Sequence, residues 1–505
     1  MKGSKILIWI YTLVVLVLPV AALLASFPSI LHSTREILFS RSFIRSLTNS
    51  LVIATVTTAV AILIGTTAAF LISKTQLPFT RTFVVLLTLP VFFVPYQFAL
   101  AWSSLLPSGP LSGLLFSRTG VIFILTGCLL PIVFWLSLAG FSSVPPEEEE
   151  SGLLITSPRR VFFKITLPRV FPSILTAGLL VFLLSFSELG VATYLGVSVI
   201  STEVLVQFSA FYNINSAIAA SLPMLAVGIV IFLLEARFLR RGLKFYQKAP
   251  EGRGLIFRMR RLQPVSIAFL GTVIFLSLLA PFAELIYEAS DLSSLSIAIK
   301  HGTASLARSI VYSFSAGTIA AIWALFALYL IKVRGRNLLS SISLLAFLLP
   351  PPVIAIGIIY AWSNSPLSGV VYGTVAAIVL GLLARFSFIS FKVLETSMEN
   401  MDPSAREAAL VCGASHFTIL RKIVFPRIRK WFLLAVMLVF VFSMNELGVS
   451  TMLYPPGGEP LVVRLYTLSV NNPVGVSSAL AIMNSLVTLV LVMVFIWRKK
   501  GNEAL

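Results

Sequence analysis

Apolar runs recur along this chain, separated by shorter polar stretches. About 20 consecutive apolar residues cross a bilayer as a helix. The pattern predicts spans near 6–27, 49–72, 82–105, 120–140, 173–196 and 215–236, then near 265–288, 310–331, 339–362, 373–394, 431–454 and 476–497. The runs are continuous and punctuated by Gly and Pro, which favours a helical bundle over a barrel whose strands would alternate every second residue. The first run follows Lys2 and Lys5 and ends in small residues, as a signal peptide would.

The two sets of six match each other. Glu149 to Thr193 aligns without a gap with Glu407 to Thr451, 258 positions later. Lys164 and Lys422, Pro168-Arg169 and Pro426-Arg427, and Glu188-Leu189-Gly190 and Glu446-Leu447-Gly448 fall in register. RSLTNSL (45–51) matches RSIVYSF (308–314), and LPVFFVPYQFALAW (89–102) matches LPPPVIAIGIIYAW (349–362). The leader-like run recurs as well, VLPVAALLASF (17–27) resembling LLAPFAELIYE (278–288), so the first is expected to be retained. The expected organisation is a first transmembrane domain at 1–240, a basic cytosolic linker at 241–263 and a second transmembrane domain at 264–505. Six helices is an even number, so both halves enter the membrane in the same sense, as parallel repeats.

Composition and charge agree. Hydrophobic residues make up 58%, charged residues 11%, and mean hydropathy is +0.98, too little polar surface for a chain that faces water. With both termini in the cytosol, the cytosolic segments hold about 30 of the 38 Lys and Arg residues, as the positive-inside rule requires. The net charge of +19 is therefore assigned to topology and anionic lipid and not to nucleic acid, for which no basic stretch forms a domain. The linker region is the most basic, from Arg237, Arg240 and Arg241 through Lys244, Lys248 and Arg253 to Arg258, Arg260 and Arg261. It is expected to lie against anionic headgroups.

Before the fifth span of each half lies a polar loop. Residues 402–430 read as two short helices: Asp402 caps the first and Pro403 opens it, Gly413 takes a left-handed turn, and Ser415 caps the next. Ala405, Ala408 and Ala409 offer a face that another protein could approach closely. In the first copy Pro145 and Pro146 start the helix, and Glu147 to Glu150 crowd its positive end. One such loop could be an ordinary amphipathic connection; two at one register argue for a shared task.

EAALVCG (407–413), followed by Ile423 and Pro426, resembles the EAA loop of ABC-importer permeases of the type I fold. The resemblance extends over both halves. It implies an all-α polytopic membrane protein of twelve helices, whose loops act as coupling helices for two copies of a cytosolic ABC ATPase. It also implies a periplasmic or lipid-anchored solute-binding protein, a place in the cytoplasmic membrane, and no cofactor. Carried over by position, Glu407, Ala408, Ala409 and Gly413 form the second coupling site, and Glu149, Glu150, Ser151 and Ile155 the first. Ile155 stands where the pattern has glycine, and isoleucine does not readily adopt a left-handed conformation, so the first loop is expected to turn differently. NELGVSTMLYPPGGEPLVVRLYTL (445–468) and SELGVATYLGVSVISTEV (187–204) resemble the ferric-iron importer subgroup, whose relatives carry thiamine, polyamines or phosphonates.

Within the spans, Glu188 and Glu446 occupy equivalent positions. Buried carboxylates are costly in a membrane, so they are expected either to line a translocation path, with Asn445 beside Glu446, or to cap a neighbouring helix. Carboxylate oxygens also suit a ferric ion. Arg385 is expected to snorkel toward the cytosol in preference to pairing with a carboxylate. Pro90, Pro350, Pro351 and Pro352 are expected to kink the third helices. Cys128 and Cys412 are expected to stay unpaired, and His32, His301 and His416 show neither metal nor nucleophile spacing. No GxxxxGK[ST] sequence occurs, so ATP must be bound by another chain. An ion-driven secondary transporter also uses twelve helices in two halves, and a membrane scaffold is a third class; neither needs a matched pair of coupling loops.

Overall fold

The computed structural model describes residues 2–26, 37–242, 255–257, 261–331, 333–363, 365–399, 401, 402 and 404–501. All long elements among them are helices. The first half comprises α1 (Lys5–Ala25), α2 (Arg41–Lys74), α3 (Thr80–Phe92), α4 (Pro95–Leu105), α5 (Arg118–Ser142), α6 (Pro146–Ile155), α7 (Pro158–Phe186), α8 (Ile200–Ser209) and α9 (Ile214–Gly242). The second comprises α10 (Gln263–Ala289), α11 (Leu292–Leu330), α12 (Gly335–Leu348), α13 (Pro351–Ser363), α14 (Val375–Glu399), α15 (Ser404–Val411), α16 (Phe425–Met444), α17 (Leu461–Asn471) and α18 (Val474–Gly501).

Nine of the described helices are long and apolar enough to cross a membrane, or eleven if each bent pair is one span. The sequence pattern predicts twelve. The difference is α16, whose opening turns carry Arg427, Arg429 and Lys430 and leave a short apolar stretch behind them. The bent pairs are α3 with α4, at 99°, and α12 with α13, at 105°. Proline explains both breaks: Pro90 and Pro95 flank the first, Pro350 to Pro352 form the second, and a proline cannot supply the N–H that would continue the ladder. The halves also share finer irregularities. π-helical turns at Phe162–Thr166 and Leu420–Val424 stand at the 258-residue shift, and those at Thr12–Val17 and Phe275–Leu279 fall within the first helix of each half.

Each half lends its first helix to the other. The stretch Leu18–Ser26 packs on α13, so closely that a Cβ on Gly357 would lie 2.4 Å from the Pro19 carbonyl oxygen. Tyr11 stacks on Trp323 at 5.0 Å, and its hydroxyl lies 2.5 Å from that of Ser387. Reciprocally, α10 packs on α3, α4 and α5, with the Phe282 ring 5.4 Å from Phe93. Leu278 and Leu285 are buried in cores built mainly from other elements. Each first helix thus buries one face at the junction of the halves and leaves the other exposed, and α10 also packs on α18 of its own half.

Candidate translocation and coupling sites

A break in a membrane helix leaves carbonyl groups without donors, and lipid cannot supply them. Side chains answer the two breaks here. The Phe92 carbonyl accepts from Asn445 Nδ2 at 3.1 Å and Thr488 Oγ1 at 3.3 Å, both from the second half. The Leu349 carbonyl accepts from Arg385 Nη1 at 3.1 Å. Asn445 Oδ1 accepts in turn from Asn484 Nδ2 at 2.8 Å, and Gln97 bonds both the Ala481 carbonyl and Ser485. Asn445→Leu is expected to leave Phe92 with a single donor and Asn484 unpaired, costing about 1–3 kcal/mol. A melting curve of the purified protein in detergent checks this; an unchanged midpoint counts against the cross-link.

The fifth spans end earlier than the sequence pattern predicts, at Phe186 and Met444. The apolar run continues to 196 and 454, but Glu188 and Glu446 stop the helix by capping the short ones that follow. The Glu188 carboxylate accepts from Val191 N at 3.0 Å and Ala192 N at 3.3 Å, and Glu446 Oε1 accepts from Val449 N at 3.2 Å. The glycine two positions on lets each turn pack closely: a Cβ on Gly448 would lie 2.7 Å from Pro351 Cβ at the second break, and one on Gly190 2.8 Å from Leu447 Cδ2 of the opposite turn. Both glutamates therefore have the capping role, and both also line a cavity.

That cavity, of about 460 Å³, lies between the halves. Pro90, Pro95 and Pro351 bound it at the breaks, Ser187 to Gly190 and Asn445 to Gly448 at the turns, and α5 and α14 along its walls. The α5 wall presents Cys128, Leu129 and Ile132, whereas α14 presents Arg385, Ile389 and Lys392. The expectation for Arg385 is overturned. It is 5% exposed and donates from Nε to Glu446 Oε2 at 2.8 Å, where snorkelling would have left Glu446 and the Leu349 carbonyl unanswered. Lys392 pairs with Glu395 at 2.6 Å. Among the described residues no three His, Cys, Asp or Glu side chains form a group that could hold a metal ion.

The two polar loops differ in the way that Ile155 implies. In the second, Asp402 accepts from Ser404 N at 3.0 Å, Gly413 has φ +75°, and Ser415 accepts from Thr418 N at 3.2 Å. Hydrogen bonds from its own neighbour hold the exposed Asp402 carboxyl below its usual range. Glu407, Ala408, Val411 and Gly413 are exposed, while Ala409 is partly buried. Pro403 lies outside the described residues. In the first loop α6 runs through Ile155 in helical geometry and stops at an extended Thr156 before Pro158, so no left-handed residue is needed. Glu150, Ser151 and Ile155 are exposed, with Leu154 90% and Ile155 88% open.

Glu149 departs from its expected place on the contact surface. It is 0% exposed, and Lys74, Thr166 and the Leu255 backbone surround its carboxylate. A signal for Lys74 exists in the sequence: Lys332 stands 258 positions after it, the same register as Glu149 and Glu407. Of the basic linker residues, Lys244, Lys248, Arg253, Arg258 and Arg260 lie outside the described residues; Arg237 and Arg261 are exposed.

A family model described as the binding-protein-dependent transport system inner membrane component matches residues 61–243 and again residues 313–499. An Fe(3+)-transport system permease protein of Haemophilus influenzae is 24% identical over 432 residues, 83% of either chain. A putative 2-aminoethylphosphonate transport system permease protein of Salmonella typhimurium is 29% identical over 198 residues, 38% of this chain and 74% of its own length. A spermidine/putrescine transport system permease protein of Escherichia coli is 28% identical over 183 residues, 36% of this chain and 66% of its own.

Proposed function

Because the chain belongs to the family of binding-protein-dependent transport system inner membrane components, carrying the permease domain twice, we propose that it forms a complete translocation path for ferric iron by itself. Likeness to a ferric permease along 83% of the chain, both halves included, supports this cargo over those of relatives matched along one half-length only. In this reading α16 is the twelfth crossing, the halves are parallel repeats, and both termini lie in the cytosol, which the abundance of Lys and Arg in the polar loops supports. The domains divide at 1–240 and 264–505 around the 241–263 linker.

A separate ATPase, two copies to one chain, docks on α6 and α15. The exposed apolar residues Leu154, Ile155, Val411 and Phe417 supply the hydrophobic contact, with Glu150, Ser151, Glu407 and Ala408 beside them. A solute-binding protein delivers cargo on the opposite side. Cargo then passes through the cavity between Glu188 and Glu446, and movement of the coupling loops opens that cavity alternately to each face.

Leu154→Asp with Val411→Asp is expected to abolish co-purification of the ATPase while the permease stays monodisperse. Retained co-purification would remove the docking reading. Cargo is tested in vesicles containing the permease, its ATPase and its binding protein, supplied in turn with ferric citrate, 2-aminoethylphosphonate and spermidine. Stimulated ATP hydrolysis and uptake with ferric iron alone support the proposal. A second reading, a phosphonate cargo, is supported by the 29% identity to a phosphonate permease along part of the chain; stimulation by the phosphonate would establish it instead.

A further inference from the structure

A fully buried carboxylate needs donors for its lone pairs. Glu149 has Lys74 Nζ at 2.8 Å from both oxygens, Thr166 Oγ1 at 2.7 Å and the Leu255 N–H at 2.7 Å. The last donor comes from the segment that joins the two halves. Leu255 is 3% exposed. The Phe257 N–H donates to the Lys74 carbonyl at 2.8 Å, and Thr75 and Phe257 pair as a parallel bridge. The Phe257 ring lies 5.7 Å from Phe70 of α2 and 6.1 Å from Phe162 of α7. Backbone and side chains of this short piece are thus bound at once by the end of α2, by α6 and by the π turn of α7.

Surface linkers do not ordinarily supply a backbone donor to a buried charge, since loops keep their polar groups in water. The opposite coupling helix is held differently: Glu407, in the same register, is exposed. We infer that residues 255–257 are a strap that positions the first coupling helix, with Glu149 as the positioning residue. The strap ties α6 to α2 and to the start of α7, so that these three move as one body when the ATPase closes. Without it, α6 would be held by side chains, among them Glu149 on Lys74 and Thr166 and Glu148 on Arg169, and could turn under load without moving the span behind it as fully. The inference rests on the docking reading above.

The test uses the full chain with its ATPase and binding protein in proteoliposomes, and reads cargo transported per ATP hydrolysed. Leu255→Pro removes the N–H, Phe257→Ala removes the ring, and Glu149→Gln weakens the charge pair; Leu255→Met, which keeps the donor and nearly the same buried volume, is the control. The ATPase should co-purify with all four. For the first three, transport per ATP should fall at least about five-fold, the low end of typical coupling between sites, with ATP turnover within about two-fold of wild type. The control should keep the wild-type ratio. If hydrolysis and transport fall together at a constant ratio, the segment is structural only and the inference is overturned; loss of ATPase co-purification with Leu154→Asp and Val411→Asp is read separately and tests docking alone.

A second measurement does not depend on a weakened fold. With Cys128 and Cys412 replaced by alanine, Thr75→Cys with Phe257→Cys places two thiols across the bridge for oxidation. Because Phe257→Cys also removes the ring, the reduced form should show the lowered transport per ATP, and a strap that stays closed throughout the cycle predicts that cross-linking restores it. Transport that stops on oxidation and returns with reductant would show that the segment must open, and would overturn the inference.

Discussion

Arg385→Met is expected to abolish uptake and to lower stability by about 3–5 kcal/mol. The cost comes from what is left behind. Arg385 and Glu446 are 5% and 9% exposed, so the carboxylate would lose its counter-ion and the Leu349 carbonyl its donor, each at a largely buried position. Adding Glu446→Gln removes the stranded charge and keeps an acceptor for the Val449 N–H. The double variant should therefore regain most of the lost stability without regaining uptake. Melting midpoints in detergent and uptake into vesicles decide the matter, and equal midpoints for the single and double variants would falsify the pairing argument.

The second large effect is expected at Gly448. The Cβ of Gly448→Ala would fall 2.7 Å from Pro351 Cβ, inside van der Waals contact with a ring that has no alternative rotamer to retreat into. At Gly190→Ala the nearest atom, at 2.8 Å, is the tip of the Leu447 side chain, which can move aside. Two substitutions that look equivalent in the repeat should thus differ. Overpacking of this kind costs about 1–3 kcal/mol, and at Gly448 it also pries the Glu446 turn away from the bent third span. Uptake should fall much further with Gly448→Ala than with Gly190→Ala. A comparable loss in both would mean that the turn, and not its contact with Pro351, is the sensitive feature.

Much of this architecture was legible because punctuation survives duplication. Pro90 and Pro350 predict kinks, and the bends of 99° and 105° are there; Asp402, Gly413 and Ser415 each have the capping or turning role that their chemistry suggests. Long-range partners were not legible. Arg385 and Glu446 are 61 residues apart, and Glu149 is 106 residues from Leu255. Which side chains meet over such separations depends on helix rotation about the axis, which a hydrophobic pattern describes only as a face. The fifth spans illustrate a different limit. Their apolar runs continue past Ser187 and Asn445, and periodicity does not register a break made by a side chain capping the next turn. In the linker, Leu255 and Phe257 stand in a short run among basic residues, and no periodicity marks an apolar pair of that kind as packed inward.

The exchange of first helices also dictates an order of assembly. The surface on which Leu18–Ser26 rests includes α13, and Pro351 is translated roughly 330 residues after Ala25. At usual rates of synthesis that is a delay on the order of 15–65 s. Through that interval the opening helix has lipid or a holding factor for company, and not its own protein. The segment that most resembles a leader is thus made long before its seat, and a ribosome stalled before Pro351 would leave a nascent chain in which that helix has no home.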